Sequence, residues 1–378
     1  MISLKNIVLL FFAFGVVFNA SAQINRVGVK SEWATNVDNS SISLYEYESL
    51  VPKDAFQSID NPRFYNEESA AEEYSEESNV VVVAAGREFK AYPLDFLMYH
   101  QVINDRIGGM PIAITYCPLT DAVQVYERRF QYKGVQRELT FNPSGMIRKS
   151  NIILYDTQSE SWWQQYNGKS YTGEFKGHEL TKYPALRMTM KQYYENYKYG
   201  LVMKFNERDE LLPYGKNPYY NYDNVLVEKP LYLNYMPNER LMPMERVVAV
   251  ALLDEHVIYP LEDVKDRGVI NDKPLDMYIA VFYDGASTSM LEGRAIHSNK
   301  KIGSVAVYSS FHEGQSLTFS KEGDVFKDEQ TQSIWNFSGR CIEGELKGQQ
   351  LKMLNFSQNF SFPALDFYPN SLIYNINW

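Results

Sequence analysis

The chain repeats itself, and that repeat restricts the fold more than any other feature. Tyr92-Pro93-Leu94 returns as Tyr259-Pro260-Leu261, and Val102-Ile103-Asn104-Asp105 as Val269-Ile270-Asn271-Asp272, both at a separation of 167 (259 − 92 and 269 − 102). Asp156-Thr157-Gln158, with Ser161 and Trp163, returns as Asp328-Glu329-Gln330 with Ser333 and Trp335. GEFKGHEL from Gly173 returns as GELKGQQL from Gly344, 171 residues later (344 − 173). A near-constant offset held across several blocks is the mark of a duplicated structural unit. It predicts two copies, about 79–205 and about 246–375, packed as a pseudo-twofold pair.

Each copy reads mostly as strand. NVVVVAAG, GMPIAITY, AVQVYERRF, SNIILYD and KSYTGEF in the first copy, and ERVVAVAL, DMYIAVFY, GSVAVYSS and RCIEGEL in the second, are short apolar or alternating runs. Helical patterns are confined to 94–103 and to 189–200, the latter stopping at Gly200. The predicted fold is α+β and β-rich, built from two similar strand-rich units. A segment rich in Tyr, Pro and Asn, 206–245, joins the copies, and an N-terminal arm, 23–78, precedes them. The acidic stretch NEESAAEEYSEES in that arm, 66–78, reads as a solvated connection.

Residues 1–22 read as an address. Lys5, the apolar run IVLLFFAFGVVF and the small-residue stretch NASAQ form a secretory signal peptide cleaved after Ala22. The run falls short of the roughly 20 residues of a membrane span, and no other stretch approaches that length. The expected product is an exported protein, periplasmic or extracellular, with no transmembrane segment in the mature chain. A formal net charge of −10 argues against nucleic acid as a partner, because backbone binding needs a basic stripe.

Duplication also sorts the chemistry. Asn104, Asp105, Ser161 and Trp163 recur in the second copy, so the shared fold accounts for them, through side chains that bond local backbone or anchor the core. His100 and Cys117 do not recur: the 167 offset sets them against Arg267 and Asp284. Cys117 closes an apolar strand and precedes Pro118, with His100 in the segment before the Gly108-Gly109 turn. If the two side chains meet, an imidazole lowers the thiol pKa and makes a catalytic nucleophile, or the pair contributes ligands to a copper or zinc site. A disulfide to Cys341 and plain core packing remain alternatives. CxxC, HExxH, GxSxG, P-loop and DxDxDG patterns do not occur.

PKDAFQSIDNPRF, AYPLDFLMYHQVIND, GGMPIAITYCPLTDA, LTFNPSGMIRKSNIILYDTQSESWWQQYNGK and GEFKGHEL, in that order over residues 52–205, resemble domain-of-unknown-function family 3179. The resemblance marks His100, Asn104, Asp105, Tyr116, Cys117, Ser144, Gly145, Ser150, Asp156, Ser161, Trp163 and Gln165 as motif positions. Family members carry Glu at the position of Gln101, and a second Cys and a Gly at those of Thr120 and Asp121. Two-cysteine cycling is therefore closed to this chain, which would make it a variant with a partly dismantled site. No activity is attached to the family, and whether this chain is an enzyme stays open. Two functions are expected to compete: a metal or thiol site around His100 and Cys117, and a non-catalytic module that binds a glycan or a partner protein through its 29 tyrosines and other aromatics.

Overall fold

The computed structural model describes residues 32–204 and 212–375. The signal-peptide reading falls on 1–22, outside those residues. What is described is β-rich with few, short helices.

The two halves pair their strands in the same order. In the first, Leu186–Thr189, Asn79–Ala85, Glu88–Pro93 and Leu201–Met203 lie side by side, the last pair parallel. In the second, Phe356–Phe360, Arg246–Leu252, Glu255–Pro260 and Leu372–Ile373 do the same, again with the last pair parallel. A seven-residue helix follows the second strand of each half, Leu94–His100 and Leu261–Arg267. Both begin after a proline, whose fixed φ suits a helix entry. A second sheet joins Val102–Ile107, Met110–Cys117 and Ala122–Glu127, matched by Val269–Asp272, Ile279–Asp284 and Ser304–Ser309. A third joins Phe141–Arg148, Asn151–Asp156, Trp162–Gln164 and Ser170–Thr172, matched by Phe319–Glu322, Val325–Asp328, Ile334–Trp335 and Cys341–Glu343.

Three local expectations need correction. The helix expected over 94–103 ends at His100, because Gln101 turns left-handed (φ 61) and Val102 and Ile103 start the next strand. The helix expected to run to Gly200 ends at Asn196: the Asn196 side chain takes the Gln192 carbonyl at 2.7 Å and Tyr197 leaves helical geometry. The acidic stretch is not wholly a solvated connection. Glu67–Glu73 is a helix capped by the Asn66 side chain, and it buries Ala70. The rest of the arm is stitched into the sheets, Glu48–Ser49 against Phe141–Arg148 and Ile59–Asp60 against Val102–Ile107.

The halves meet along two strand contacts. Ala122–Glu127 packs beside Phe356–Phe360, and Leu186–Thr189 beside Ser304–Ser309. The Phe360 N–H reaches the Thr120 carbonyl at 3.1 Å. One apolar cluster crosses the junction, joining Val82, Met188 and Tyr193 to Phe282, Tyr308 and Trp335. Burying such side chains stabilises by about 1.5–3 kcal/mol each, so the junction is part of the core. Among the described residues no helix is long and apolar enough to cross a membrane.

Candidate functional site

The motif positions that recur in both halves act as internal staples. The Asn104 amide donates to the Phe141 carbonyl at 2.8 Å and accepts the Phe141 N–H at 3.1 Å; Asn271 does the same with Phe319, at 2.8 Å in both directions. Asp105 accepts from the Tyr92 hydroxyl at 2.7 Å and pairs with Lys90, while Asp272 accepts from Tyr259 at 2.8 Å. Asp156 collects the Ser159 and Ser161 amides, the Ser159 hydroxyl and the Trp163 indole N–H at 2.9 Å. Asp328 holds the Thr331 amide and hydroxyl and the Trp335 indole N–H, also at 2.9 Å. The Ser161 and Ser333 hydroxyls accept the Phe175 and Leu346 amides. Gly173 and Gly344 lie so close to those serines, at φ 104 and 99, that a Cβ on either would stand within 2.7 Å of serine atoms. These groups satisfy buried polar atoms and present nothing to a ligand.

Tyr116, Ser150 and Gln165 lie around the Cys117 loop. Cys117 has no solvent exposure, and its thiol is pushed up by burial, against hydrogen bonds from the Thr120 side chain and the Ile152, Thr120 and Leu119 backbone. The Tyr222 hydroxyl donates to the Leu119 carbonyl at 2.9 Å, and the Ser150 hydroxyl to the Leu231 carbonyl at 2.6 Å, so the connecting segment closes over the loop. Gln165 reaches the Thr115 hydroxyl and the Ala122 carbonyl. The Ser144 hydroxyl donates to the Ile153 carbonyl in a strand irregularity that includes Gly145. Tyr116 donates to Asp121 at 2.7 Å.

His100 faces elsewhere. Its Nδ1 lies 2.7 Å from the Gln57 carbonyl, which can only accept, so the proton sits there; its Nε2, 2.6 Å away, takes the Tyr214 hydroxyl. Strand register carries the His100 backbone toward Cys117, but both ring nitrogens are committed to other partners. Among the described residues no three His, Cys, Asp or Glu side chains are grouped to hold a metal. Cys117 and Cys341 are both buried and unpaired.

Asp121, where the resemblance expects glycine, sits at φ 49, the left-handed region that glycine favours and aspartate tolerates. Its carboxylate is fully buried between two guanidiniums, Arg187 at 3.0 Å and Arg246. Arg246 continues to Asp223 at 2.9 Å, and Asp223 accepts from Ser289. Burial pulls the Arg246 pKa down, but Asp121 and Asp223 outweigh it and hold the group above its ordinary value. One ion network thus joins the first half, the connecting segment and the second half.

Beside this network a groove opens where the halves meet, and no sequence motif announced it. Its wider part leaves about 30 Å³ of room, space for one or two waters, and a narrower part of about 10 Å³ continues past Gln124, Lys182 and Ser357 to Tyr166, His256 and Tyr368. Five side-chain atoms on its lining, Gln124 Nε2, Arg187 Nε, Asn355 Oδ1, Ser357 Oγ and Gln358 Oε1, are buried without a hydrogen-bond partner in the protein. Such atoms are uncommon in native cores. Burial pushes the Lys182 amine down to about 8, against the pull of Glu179. The His256 imidazole, stacked on Tyr368 with ring centroids 3.5 Å apart, is pushed down to about 4 by burial and by Lys182 and Lys169. The sequence did hold one signal. Lys182 stands against Met353 at the 171 offset (353 − 182), so a cation is present on one side only.

The His256 shift makes a pH prediction. The unfolded imidazole takes up its proton near 6.5 and the folded one near 4, so the stability tied to the neutral ring is complete above 6.5 and is lost as pH falls toward 4. Partial solvent contact reduces the effect from its ideal size to about 1–2 kcal/mol. Urea midpoints at pH 7 and pH 4.5 should therefore converge more closely in His256→Gln than in the wild type.

No curated protein and no solved structure matches this chain. A family model matches residues 53–371, from the stitched arm through the last described helix and so across both halves and the groove between them. The chain belongs to that family, described as protein of unknown function DUF3179.

Proposed function

We propose that this protein is an exported, non-catalytic binding module whose ligand enters the groove between its halves. The observation that carries the reading is the convergence of five unpartnered buried polar atoms on one groove. Small-molecule sites are clefts with a few convergent polar groups, commonly at domain junctions. The domain division at 79–205, 206–245 and 246–375 belongs to this proposal, as does its origin by internal duplication. Matching strand orders, and the reciprocal contacts of Ala122–Glu127 with Phe356–Phe360 and of Ser304–Ser309 with Leu186–Thr189, support a pseudo-twofold arrangement with the groove beside its axis. Export rests on residues 1–22, and intact mass should place the mature N-terminus at Gln23.

The competing thiol or metal reading has one observation in its favour: hydrogen bonding by the Thr120 side chain and by the Ile152, Thr120 and Leu119 backbone pulls the Cys117 thiol pKa down. Burial outweighs that pull and keeps the proton on sulfur. The experiment that separates the two is thiol labelling of the native mature protein together with its copper and zinc content. The binding reading expects no metal, no labelling before denaturation, and a loss of about 1–3 kcal/mol in Cys117→Ala as a buried group is removed. Rapid native labelling, or stoichiometric metal lost in that variant, would sink it. A thermal-shift screen of mono- and oligosaccharides should give stabilisation that Ser357→Leu removes.

A further inference from the structure

We infer that the second half docks an extended, acidic peptide segment of a partner protein along the outer edges of Val269–Asp272 and Leu372–Ile373, a surface separate from the groove.

The first half shows what fits such edges. Its counterpart strands, Val102–Ile107 and Leu201–Met203, would end their sheets but for the chain's own arm: Ile59–Asp60 adds to the first in parallel, and Phe64–Tyr65 to the second antiparallel. The Asn61 N–H reaches the Asn104 carbonyl at 2.9 Å, and the Lys204 N–H reaches the Arg63 carbonyl at 2.7 Å. Residues 59–65 thus extend two sheets with one short stretch, through main-chain bonds. Val269–Asp272 and Leu372–Ile373 end their own sheets, with no strand added to them among the described residues. Four identical residues record the difference. Val102, Ile103, Asn104 and Asp105 are all buried, whereas Val269 and Asp272 are half-buried and Asn271 is exposed. Asn104 and Asn271 stand opposite alanines in the same register, Ala113 and Ala280, so Asn271 turns its N–H and carbonyl outward as Asn104 does toward the arm. A row of such outward groups is a template for another strand.

The chain leaves this edge open because the segment that precedes the second half is used elsewhere. Its Tyr222 hydroxyl donates to the Leu119 carbonyl, its Leu231 carbonyl accepts from Ser150, and its Asn234 amide meets Glu48, all on the first half or its arm.

Side chains set the charge of the occupant. His100 ends the helix Leu94–His100 and holds the arm at the Gln57 carbonyl, 2.7 Å away. At the matching end of Leu261–Arg267 stands Arg267, exposed and in no ion pair among the described residues. Its guanidinium lies 5.7 Å from the ring of Tyr374, which follows Leu372–Ile373, so it sits beside both edges. A guanidinium there matches a carboxylate better than a carbonyl. Asn104 gives one amide hydrogen to the Phe141 carbonyl and the other to the Asp60 carboxylate of the arm at 2.7 Å. Asn271 gives one to the Phe319 carbonyl at 2.8 Å, which leaves the other for an acidic residue of the occupant.

Fluorescence anisotropy with the mature protein tests this, the probes being a labelled peptide of residues 55–66 of this chain and its Gln57→Glu variant. Both should bind, the glutamate form about two- to fivefold more tightly, as an exposed ion pair with Arg267 allows. In Arg267→Gln protein that advantage should vanish while the parent peptide still binds. Methylating the peptide's Asn61 amide should weaken binding about tenfold, through loss of one main-chain hydrogen bond. With peptide bound, hydrogen exchange should slow at 269–273 and stay as it was at 102–107. Slowing confined to 102–107 means that the peptide has replaced the arm, and it overturns the inference, as does failure of both peptides to bind. Protection of 269–273 in the free protein that grows with its concentration assigns the edge to a second copy and overturns it too.

Discussion

Replacing Asp121 with alanine is expected to cost about 3–5 kcal/mol, read as a lowered urea midpoint at pH 7, because it leaves the buried Arg187 guanidinium without a carboxylate and the buried Arg246 with Asp223 alone. Arg187 and Arg246 are exposed by only 5 and 9 % in their side chains, and the Asp121 carboxylate stands between them. Tyr116 loses its acceptor in the same step. Asp121→Gly should be milder than Asp121→Ala by about 1 kcal/mol, since φ 49 is a conformation that alanine resists and glycine adopts freely. Equal stabilities for the two variants would mean that backbone geometry plays no part at this position. A near-neutral Asp121→Ala would remove the network from the forces that hold the halves together.

The second large effect is expected at Trp163. Its ring is fully buried against Phe130, Phe141 and Phe175, with centroids 5.9, 5.7 and 6.0 Å away. Trp163→Ala should cost about 3–5 kcal/mol from the cavity alone. Burial already raises the Asp156 carboxyl, and the Trp163 N–H is the largest of the opposing hydrogen bonds, so the variant also drives Asp156 further toward its neutral form. Trp163→Phe keeps most of the packing and loses that bond, for an expected 1–3 kcal/mol, about the cost of a buried group left unsatisfied. Trp335→Phe should lose a similar amount, since its N–H meets Asp328 at the same 2.9 Å. A large difference between the two phenylalanine variants in chemical denaturation would count against equivalent roles for the two staples.

Much of this architecture could be read along the chain, because it is local. Period-two alternation and short apolar runs place strands such as Ser304–Ser309 and Ala122–Glu127 within a residue or two. The run AVQVYERRF breaks at Arg128, whose buried guanidinium turns to the Ile112 and Leu139 carbonyls. Strands that were not anticipated, Glu88–Pro93 and Phe141–Arg148, carry charge or a mid-strand Pro-Ser-Gly and so lack the pattern. The acidic helix Glu67–Glu73 lacks a clear pattern because one buried alanine, Ala70, is a weak signal against six glutamates in that stretch, 66–78.

The candidate site divides along the same line. Asn104, Asp105, Asp156, Ser161 and Trp163 sit in recurring short motifs, and each acts on turns or strands that sequence spacing already brings near, so the recurrence of those motifs was enough to give them a scaffold role. His100 and Cys117 stood out as unmatched, yet what each touches is set by Gln57, Tyr214, Thr120 and Ile152, of which only Thr120 is a close sequence neighbour. The groove was decided by tertiary structure alone. Gln124 and Gln358 are 234 residues apart (358 − 124), and nothing in either strand states which face meets the other half. Alternation along a strand tells which side chains share a face. Whether that face meets solvent, an apolar core or a second polar face depends on how separate sheets pack, and here that packing leaves Gln124, Arg187, Ser357 and Gln358 buried around one opening.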